Sequence, residues 1–318
     1  MAGKFKKPKI IVILGPTASG KTKLAVHLAY KFGGEIISAD SRQVYKGMDI
    51  GTGKDLKEYE IKPKTRNPKL KIFKIPRYLI DVANPQQKFS LAKYQKLAFK
   101  TVEDIAKRGK LPILAGGTGL YAQAVVENFQ LSKAKPDLKR RKELERENIA
   151  ELLKLIKKLS PSFAKKIDAS DKKNKRRLVR YLEILESDQK FKSKTGEEKY
   201  DALILGIRKE KEELEKRIYK RLIERLEKEK LVDEIKRLRK DGLGWKRLES
   251  FGLEYKFISL YLQKKLSYDE MVEKLFIAIR QFSKRQMTWF RRWERQGRRI
   301  YWIKNEKAAE KLAKQFLK

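Results

Sequence analysis

The fold is decided close to the N-terminus by the stretch IIVILGPTASGKT, residues 10–22. Its first five residues, 10–14, are all apolar, which predicts a strand buried in a parallel sheet. The next eight, 15–22, fit the pattern G-x-x-x-x-G-K-[ST], and a helical pattern follows them. In that setting the backbone N–H groups of the loop and of the helix N-terminus point at one spot, which suits a diphosphate.

Every residue of this loop is therefore a candidate for diphosphate binding. The candidates are Gly15, Pro16, Thr17, Ala18, Ser19, Gly20, Lys21 and Thr22. Lys21 adds a positive charge, and Thr22 offers a hydroxyl group to Mg²⁺. The pattern is typical of nucleotide-binding proteins, but it does not say whether the diphosphate belongs to ATP. A purely structural loop is the alternative interpretation.

Strand and helix patterns alternate along much of the chain. Apolar runs predict further strands at 35–38, 78–82, 111–115, 202–207 and 300–303. Helical spacing predicts helices at 21–32, at 90–108 and from about 118 onward. Strand, loop and helix repeated in this order predict an α/β fold, a P-loop NTPase-like doubly wound parallel sheet with right-handed crossovers.

The residue composition changes between residues 122 and 189. Lys, Arg, Glu and Leu recur there at helical spacing, and no strand is expected. We interpret residues 122–189 as a helical insertion domain. The core is then discontinuous and consists of residues 1–121 and 190–318.

Two long helices are predicted in the second part of the core. An apolar stripe from Leu214 to Leu238 predicts one continuous helix that stops at Asp241–Gly242. A second stripe predicts a helix over about 268–294. The Lys-rich segment 62–71 is predicted to be a loop.

Composition restricts the class of protein. The chain has 318 residues, with 80 Lys and Arg against 41 Asp and Glu, a formal charge of +39. Such an excess favours a polyanionic partner such as nucleic acid, although a basic proteome or a Lys-rich surface is the alternative. The absence of cysteine excludes disulfides and Cys-ligated zinc, and a single histidine, His27, excludes a multi-His metal site. No stretch approaches the ~20 apolar residues of a membrane span, so we expect a soluble protein.

Two further turns carry chemically useful side chains. Asp40 follows the predicted strand 35–38, at the edge where doubly wound sheets hold their ligands, and its carboxylate could accept a proton from an amine. An N-cap or turn aspartate is the alternative. Thr118 follows Gly116–Gly117, where backbone can approach a ligand closely. A plain strand-to-helix turn with Thr118 as the N-cap is the alternative there.

Five motifs in this sequence together resemble the tRNA dimethylallyltransferase family, bacterial type. They are GPTASGKT at 15–22, ISADSRQVYKGMDIGTGK at 37–54, the LIDV–NP–FSLA pattern at 79–92, GGTGLY at 116–121 and KRQMTWFR at 284–291. They occur in the family's order and span nearly the whole chain. No Cys/His zinc module follows the core, which supports the bacterial type.

The resemblance implies a prenyl transfer to tRNA. The loop 15–22 would hold the diphosphate of dimethylallyl diphosphate with Mg²⁺, and Arg217 would also contact that diphosphate. Asp40 would engage the exocyclic amine of the adenine immediately 3′ of the anticodon, with Thr118 at the reaction centre. The catalytic residues would be Asp40, Thr118 and Arg217. The tRNA anticodon stem-loop would contact Asp40, Ser41, Arg42, Gln43, Thr118, Arg141, Arg176, Arg177 and Arg180. We also expect a monomer, located in the cytoplasm.

These residue types suit the chemistry. The lone pair of adenine N6 is delocalised into the ring, so catalysis must come from positioning and from positive charge near the departing diphosphate. Without the resemblance, Arg217 would be interpreted as part of a solvated helix face. The basic aromatic stretch Arg280–Arg299 could bind an RNA backbone or could close the core, and we favour a mixture of both roles. Residues 249–255 depart from the family pattern at Phe251–Tyr255, so we assign no tRNA contacts there.

Three other functions remain open from the residues. The loop 15–22 alone would also suit a P-loop kinase or ATPase. A prenyltransferase that acts on free adenine nucleotides would need the same loop, but the basic insertion and tail argue against it. A nucleic-acid-binding module with a vestigial loop is the third possibility, and the presence of Lys21, Thr22, Asp40 and Thr118 argues against it.

Overall fold

The computed structural model describes residues 7–61, 72–132, 137–187 and 194–318. The predicted loop at 62–71 lies outside the described residues. The chain forms two compact units, one made of residues 1–128 and 197–318 and the other of residues 129–196. In the described parts, no helix is both long and apolar enough to cross a membrane.

The strands are short and fall into three sheets. They are β1 (Lys9–Leu14), β2 (Gly34–Ser38), β3 (Glu60–Ile61), β4 (Phe73–Lys74), β5 (Arg77–Tyr78), β6 (Leu111–Gly116), β7 (Phe129–Gln130), β8 (Lys194–Thr195), β9 (Asp201–Ile207) and β10 (Tyr301–Ile303). A 3₁₀ turn at Leu56–Tyr59 precedes β3.

Helices make up most of the rest. They are α1 (Lys21–Phe32), α2 (Leu91–Lys107), α3 (Gly119–Val126), α4 (Leu138–Leu144), α5 (Ile149–Leu159), α6 (Pro161–Lys166), α7 (Ala169–Lys172), α8 (Lys175–Ser187), α9 (Lys211–Glu227), α10 (Leu231–Lys240), α11 (Trp245–Ser250), α12 (Leu253–Leu262), α13 (Tyr268–Arg295) and α14 (Glu306–Leu317).

A six-stranded parallel sheet forms the centre of the larger unit. Its order is β10-β9-β1-β6-β2-β5, with β1 paired to β9 on one side and to β6 on the other. Residues 10–14 of β1 are fully buried, and alternate side chains enter two different core clusters because successive strand residues face opposite sides. Helices α2 and α3 cover one face, and α1 and α14 cover the other. The predicted doubly wound α/β fold is confirmed.

The predicted strand at 78–82 is wrong beyond its first residue. Only Arg77–Tyr78 pair with β2, at the sheet edge. Leu79 and Asp81 have positive φ angles of 61° and 57°, which a pleated strand does not accommodate. The Asp81 carboxylate instead accepts a hydrogen bond from the buried Lys54 ammonium group, at 2.5 Å. This ion pair accounts for the turn that replaces the strand.

The single long helix predicted over the Leu214–Leu238 stripe is also wrong. The chain breaks at Lys230, whose φ of 60° is left-handed, and so forms the two helices α9 and α10. Both stripes nevertheless bury their apolar residues in one core cluster, together with α12 and the first half of α13. The apolar periodicity predicted correctly which residues are buried, but it could not predict the break. A lysine in the left-handed conformation does not change the spacing of the apolar residues.

The predicted domain boundaries differ from the division in the structure. Helix α3 continues past 121, and Ala122, Val125 and Val126 are buried in the core of the larger unit. The smaller unit therefore begins at Phe129 rather than at 122, and the larger unit resumes at Glu197 rather than at 190. Helices α4–α8 form the smaller unit around residues such as Leu152 and Leu178. Contrary to expectation it also contains a strand pair, β7 with β8.

Candidate active site

The larger unit contains a cavity of about 340 Å³ at the carboxyl edge of its parallel sheet. We call it the central cavity. It is lined by the turns that follow β1, β2 and β6, which meet at one edge because the strands are parallel. The other walls come from residues 51–53, from residues 251–255, and from side chains of α9 and α13.

The glycine-rich loop between β1 and α1 forms one wall. Thr17, Ala18, Lys21 and Thr22 line the central cavity. The backbone turns at Ala18 and Gly20, with φ angles of 60° and 91°, so that the loop wraps back over its own centre. The Lys21 ammonium group donates a hydrogen bond to the Pro16 carbonyl oxygen at 2.7 Å. The loop is thus closed by its own lysine.

The other candidates in this loop lie elsewhere. Ser19 and Gly20 line a second, more open depression of about 610 Å³. Gly15 and Pro16 line neither the central cavity nor this depression. A loop of this kind can still present backbone N–H groups to an anion without side-chain exposure.

Positive charge is concentrated beside the loop. Burial, and next the charge of Arg221, lower the pKa of Lys21 to about 8, against the opposing effects of Asp40 and Glu58. Burial, followed by the charge of Arg225, lowers the pKa of Arg221 to about 10. Both shifts mean that burial and neighbouring positive charge make the protonated forms less favourable. An anion bound among these groups would stabilise the protonated forms.

Asp40 lies in a tight turn directly after β2. Its Oδ1 accepts hydrogen bonds from the backbone N–H groups of Arg42 at 2.8 Å and Gln43 at 3.4 Å. Within the described residues, no hydrogen bond engages Oδ2, and the side chain lines the central cavity. The alternative of a turn aspartate therefore holds for Oδ1, while Oδ2 belongs to a side chain that lines the cavity.

Thr118 is joined to the same turn. Its Oγ1 accepts from the Ser41 backbone N–H at 3.1 Å, and the Thr118 backbone N–H donates to the Ala39 carbonyl oxygen at 3.1 Å. Thr118 occupies the N-cap position of α3, but its side chain makes no capping hydrogen bond. The structure agrees with the N-cap alternative in position, although the Thr118 hydroxyl group does not cap the helix. Thr118 instead fixes the turn that carries Asp40.

The two glycines before Thr118 allow a very close approach. A Cβ atom at Gly116 would lie 2.1 Å from the Ala39 carbonyl oxygen, and one at Gly117 would lie 2.2 Å from Gln286 Nε2. Gln286 on α13 uses that nitrogen to donate to the Gly117 carbonyl oxygen at 2.9 Å. The glycines therefore bring the turns after β2 and β6 together and admit a side chain from α13.

The remaining residues of the turn also line the central cavity. They are Ser41, Arg42 and Gln43. Gln43 accepts from the Ser38 hydroxyl group at 2.8 Å and donates to the Gly53 carbonyl oxygen at 3.0 Å. The Arg42 guanidinium group lies over the Phe251 ring, 5.7 Å from its centroid. Residues 251–255, within the segment where we assigned no contacts, are thus part of the cavity wall.

The structure places Arg217 outside the central cavity. Arg217 lines the second depression and forms an ion pair with Glu213 at 2.9 Å. The residues at the next two helical turns, Arg221 and Arg225, line the central cavity instead. Arg221 donates a hydrogen bond to the Thr17 hydroxyl group. The i, i+4 spacing of these arginines was visible in the sequence, but the sequence does not show which of them faces the loop.

Arg225 is one of the functional candidates that sequence reasoning missed. It is buried, lies 3.8 Å from the Glu254 carboxylate and packs on Gly53, where a Cβ would approach its guanidinium nitrogen to 2.5 Å. Burial, against the charge of Arg225, raises the pKa of Glu254. The signal available was the continuation of the arginine spacing along α9.

The arginines predicted to bind tRNA in the smaller unit have internal partners. Arg141 makes two hydrogen bonds of 2.7 Å with Glu183, whose side chain is 2% exposed, and Arg180 reaches the same carboxylate at 3.1 Å. Arg177 pairs with Asp171. Arg176 is exposed. Since a buried carboxylate must be paired, Arg141 has a structural role whether or not it also contacts RNA.

His27 lies away from the central cavity. Its Nε2 is 2.5 Å from Glu310 Oε1, which links α1 to α14. This contact indicates a structural role for His27.

Three comparisons bear on the family. The model of the family described as "IPP transferase" matches residues 43–293. The tRNA dimethylallyltransferase 1 of Syntrophus aciditrophicus is 45% identical over 299 residues, which cover 93% of this chain and 94% of that protein. The tRNA dimethylallyltransferase 2 of Treponema denticola is 42% identical over 303 residues, 93% of this chain and 96% of that protein.

Solved structures agree with these matches. The full-length tRNA isopentenylpyrophosphate transferase of Bacillus halodurans superposes with a TM-score of 0.65 at 33% identity, covering 98% of this chain and 95% of the other. A eukaryotic dimethylallyltransferase acting on tRNA gives a TM-score of 0.68 at 27% identity, over 89% of this chain and 69% of the other.

Proposed function

Since this chain belongs to the IPP transferase family, we propose that it transfers a dimethylallyl group from dimethylallyl diphosphate to N6 of the adenosine immediately 3′ of the anticodon in tRNA. Diphosphate is released. One observation carries the proposal: a single cavity is lined both by a glycine-rich anion loop with partly buried cations beside it and by a carboxylate, Asp40, in the turn after β2.

The donor would bind with its diphosphate against the loop. As the bond from prenyl carbon to oxygen breaks, negative charge builds on the leaving diphosphate. Lys21, Arg221 and Arg225 supply positive charge there, and in a buried site such fixed charges act more strongly than in water. We assign to Arg221 the contact that the resemblance suggested for Arg217, because Arg221 lines the cavity and donates to Thr17 of the loop.

The acceptor amine would lie at Asp40. N6 attacks the prenyl carbon, the carbon–oxygen bond breaks, and a proton leaves N6 for the free Oδ2 of Asp40. The turn bonds from Arg42 and Gln43 hold Oδ1, so that Oδ2 keeps a fixed direction. The target base must leave its stack to reach the cavity, which a flexible anticodon loop permits at low cost.

The residues beside the loop fit a Mg²⁺ ion held partly by the donor. The Thr22 side chain lines the central cavity, and its hydroxyl group offers a hard oxygen ligand next to the proposed phosphate position. No cluster of three or more His, Cys, Asp or Glu that could hold a metal occurs in the described part of the chain. In this proposal, substrate and water oxygens would complete the coordination. When bound, Mg²⁺ would neutralise charge on the leaving diphosphate.

The outer face of α13 suits the RNA backbone. Lys284, Arg291 and Arg295 are exposed at helical spacing, while Phe290 and Trp293 on the same helix are fully buried. This division supports the mixed role expected for residues 280–299. Contacts of this kind give salt-dependent affinity rather than base choice. We further propose that the protein acts as a cytoplasmic monomer.

One assay separates this function from its rivals. The protein is incubated with dimethylallyl diphosphate, Mg²⁺ and an anticodon stem-loop, and the RNA is analysed by mass spectrometry. A prenyl mass on the adenosine 3′ of the anticodon is expected. Prenylation of free AMP but not of the stem-loop would identify a nucleotide prenyltransferase instead. ATP hydrolysis with unmodified RNA would identify a P-loop ATPase, and RNA binding without either reaction would identify a binding module.

A further inference from the structure

A buried carboxylate on α10 holds one wall of the central cavity. Glu234 is 5% exposed, and its two oxygens accept hydrogen bonds from three consecutive backbone N–H groups, those of Asp49 at 2.8 Å, Ile50 at 2.7 Å and Gly51 at 3.1 Å. The Tyr255 hydroxyl group donates a fourth hydrogen bond at 2.7 Å. The buried carboxylate has four hydrogen-bond donors, so its hydrogen-bonding capacity is well used. Each of the four donor groups in turn has this carboxylate as its acceptor.

The bound segment is packed too closely to move independently. A Cβ atom at Gly51 would lie 2.7 Å from the Tyr255 ring. Tyr255 is itself buried, and burial followed by the charge of Glu234 raises the pKa of its hydroxyl group well above the usual value. Segment 49–53 is therefore fixed from both sides, by the Glu234 carboxylate and by the Tyr255 ring.

This segment is hydrogen-bonded to the turn after β2 that carries Asp40. At its other end, the Gly53 carbonyl oxygen accepts a hydrogen bond from Gln43 Nε2 at 3.0 Å. The backbone N–H of the same Gln43 donates to Asp40 Oδ1 at 3.4 Å. A continuous set of hydrogen bonds thus runs from Glu234, through segment 49–53 and Gln43, to the carboxylate proposed to engage the amine.

We propose that Glu234 is a positioning residue for the prenyl transfer: by fixing segment 49–53 it holds Gln43 and, through Gln43, the direction of the Asp40 carboxylate. The inference rests on the proposed function. Glu234 does not line the central cavity, and it touches no reacting atom. Its effect is therefore expected on the rate of the bound complex rather than on substrate binding.

The test is Glu234→Gln, which keeps the shape but cannot accept from all four donors. The matched control is Glu35→Gln. Glu35 is 6% exposed and accepts from Arg108 at 2.6 and 2.7 Å and from Tyr78 at 2.8 Å, but it lies on β2 outside the cavity. Both variants should lower the thermal unfolding midpoint. Only Glu234→Gln should lower kcat, by about 10- to 100-fold, as expected for a reacting group displaced by ~1 Å. The KM for tRNA should stay within about threefold of that of the unaltered protein, because contacts to the RNA backbone provide most of the tRNA affinity.

A double mutant decides whether the loss passes through Asp40. In an Asp40→Asn background, Glu234→Gln should cause little further loss of kcat, since residues that act as a unit are not additive. Additive losses, or a kcat of Glu234→Gln equal to that of Glu35→Gln, would overturn the inference while the function stands. An unmodified RNA with the unaltered protein would instead overturn the function.

A second variant covers the case in which Glu234→Gln does not fold. Tyr255→Phe removes one of the four donors and leaves the three backbone bonds in place. It should lower kcat severalfold, and this loss should also disappear in the Asp40→Asn background. An unchanged kcat for Tyr255→Phe would count against the positioning role.

Discussion

The side-chain oxygen of Gln286 accepts a hydrogen bond from the backbone N–H of Thr17 at 2.8 Å. The amide nitrogen of the same side chain donates to Gly117 at 2.9 Å. One residue of helix α13 therefore ties the glycine-rich loop to the turn after β6. The cavity depends on residues that lie 269 positions apart in sequence.

Replacement of this glutamine should loosen the loop. Gln286→Leu leaves a buried N–H and a buried carbonyl without partners, a cost of about 1–3 kcal/mol for each such group. We expect a lower free energy of unfolding and a raised KM for dimethylallyl diphosphate. Gln281→Leu, on the exposed side of the same helix, is the control and should change neither quantity. Equal donor KM values for the two variants in steady-state assays would contradict the role given to Gln286.

The two roles of Asp40 can be separated by two substitutions. Asp40→Asn keeps an oxygen that accepts from Arg42 and Gln43 but loses the charge, whereas Asp40→Ala loses both. If the carboxylate takes the amine proton, Asn alone should lower kcat by about 10²–10⁴-fold. Binding of the tRNA should change little in either variant, as measured by filter binding. A kcat for Asp40→Asn close to that of the unaltered protein would leave only the turn role.

The lowered pKa of Lys21 predicts a pH-dependent affinity for diphosphate. In the free protein this pKa is about 8, held there first by burial and then by Arg221. Bound diphosphate favours the charged lysine and so raises the pKa, which means that binding takes up a proton above about pH 8. Affinity for inorganic diphosphate should therefore fall as the pH rises from about 7 to about 9.

Calorimetry in buffers of different ionisation enthalpy measures that proton uptake directly. The Lys21→Gln variant, which has no ammonium group, should bind diphosphate more weakly and without this pH dependence. The effect of pH on the stability of the folded protein has the opposite sign. Because burial lowers the pKa of Lys21 from 10.5 to about 8 in the folded state, the folded protein is less stable below about pH 8 than above the pKa that Lys21 has in the unfolded chain. An affinity that is independent of pH in the unaltered protein would show that Lys21 does not contact the diphosphate.

Much of this site could be predicted from the sequence because its motifs are local. The loop 15–22, the turn at Asp40 and the turn at Thr118 each follow a strand that apolar runs identify, and parallel strands bring their carboxyl ends together. The roles of Gln286, Glu234 and Arg225 could not be predicted in this way. Each acts across a long sequence separation, and its partners are backbone groups or charges that only the packing of α9, α10 and α13 brings near.

The same limit explains the errors in secondary structure. Helical periodicity continues from Leu214 to Leu238, but a single left-handed residue, Lys230, turns the chain between α9 and α10. The apolar run at 78–82 fails as a strand because an ion pair between Asp81 and the buried Lys54 sets the backbone there. Periodicity reports which side chains are buried. It does not report where one polar contact redirects the chain.

The arginines of α9 give a test that distinguishes sequence resemblance from geometry. Arg221 lines the central cavity and donates to Thr17, whereas Arg217 lines the outer depression and pairs with Glu213. If the diphosphate leaves from the central cavity, Arg221→Gln should lower kcat by about 10²–10³-fold, the usual effect of removing one group that stabilises transition-state charge. Arg217→Gln removes a half-exposed surface pair and should change kcat less than about threefold, because such pairs contribute ~0–1 kcal/mol. The two variants have the same chemistry and lie one helical turn apart, so each serves as the control for the other in a single-turnover assay. A larger loss from Arg217→Gln than from Arg221→Gln would place the departing diphosphate in the outer depression, against the assignment made from the structure.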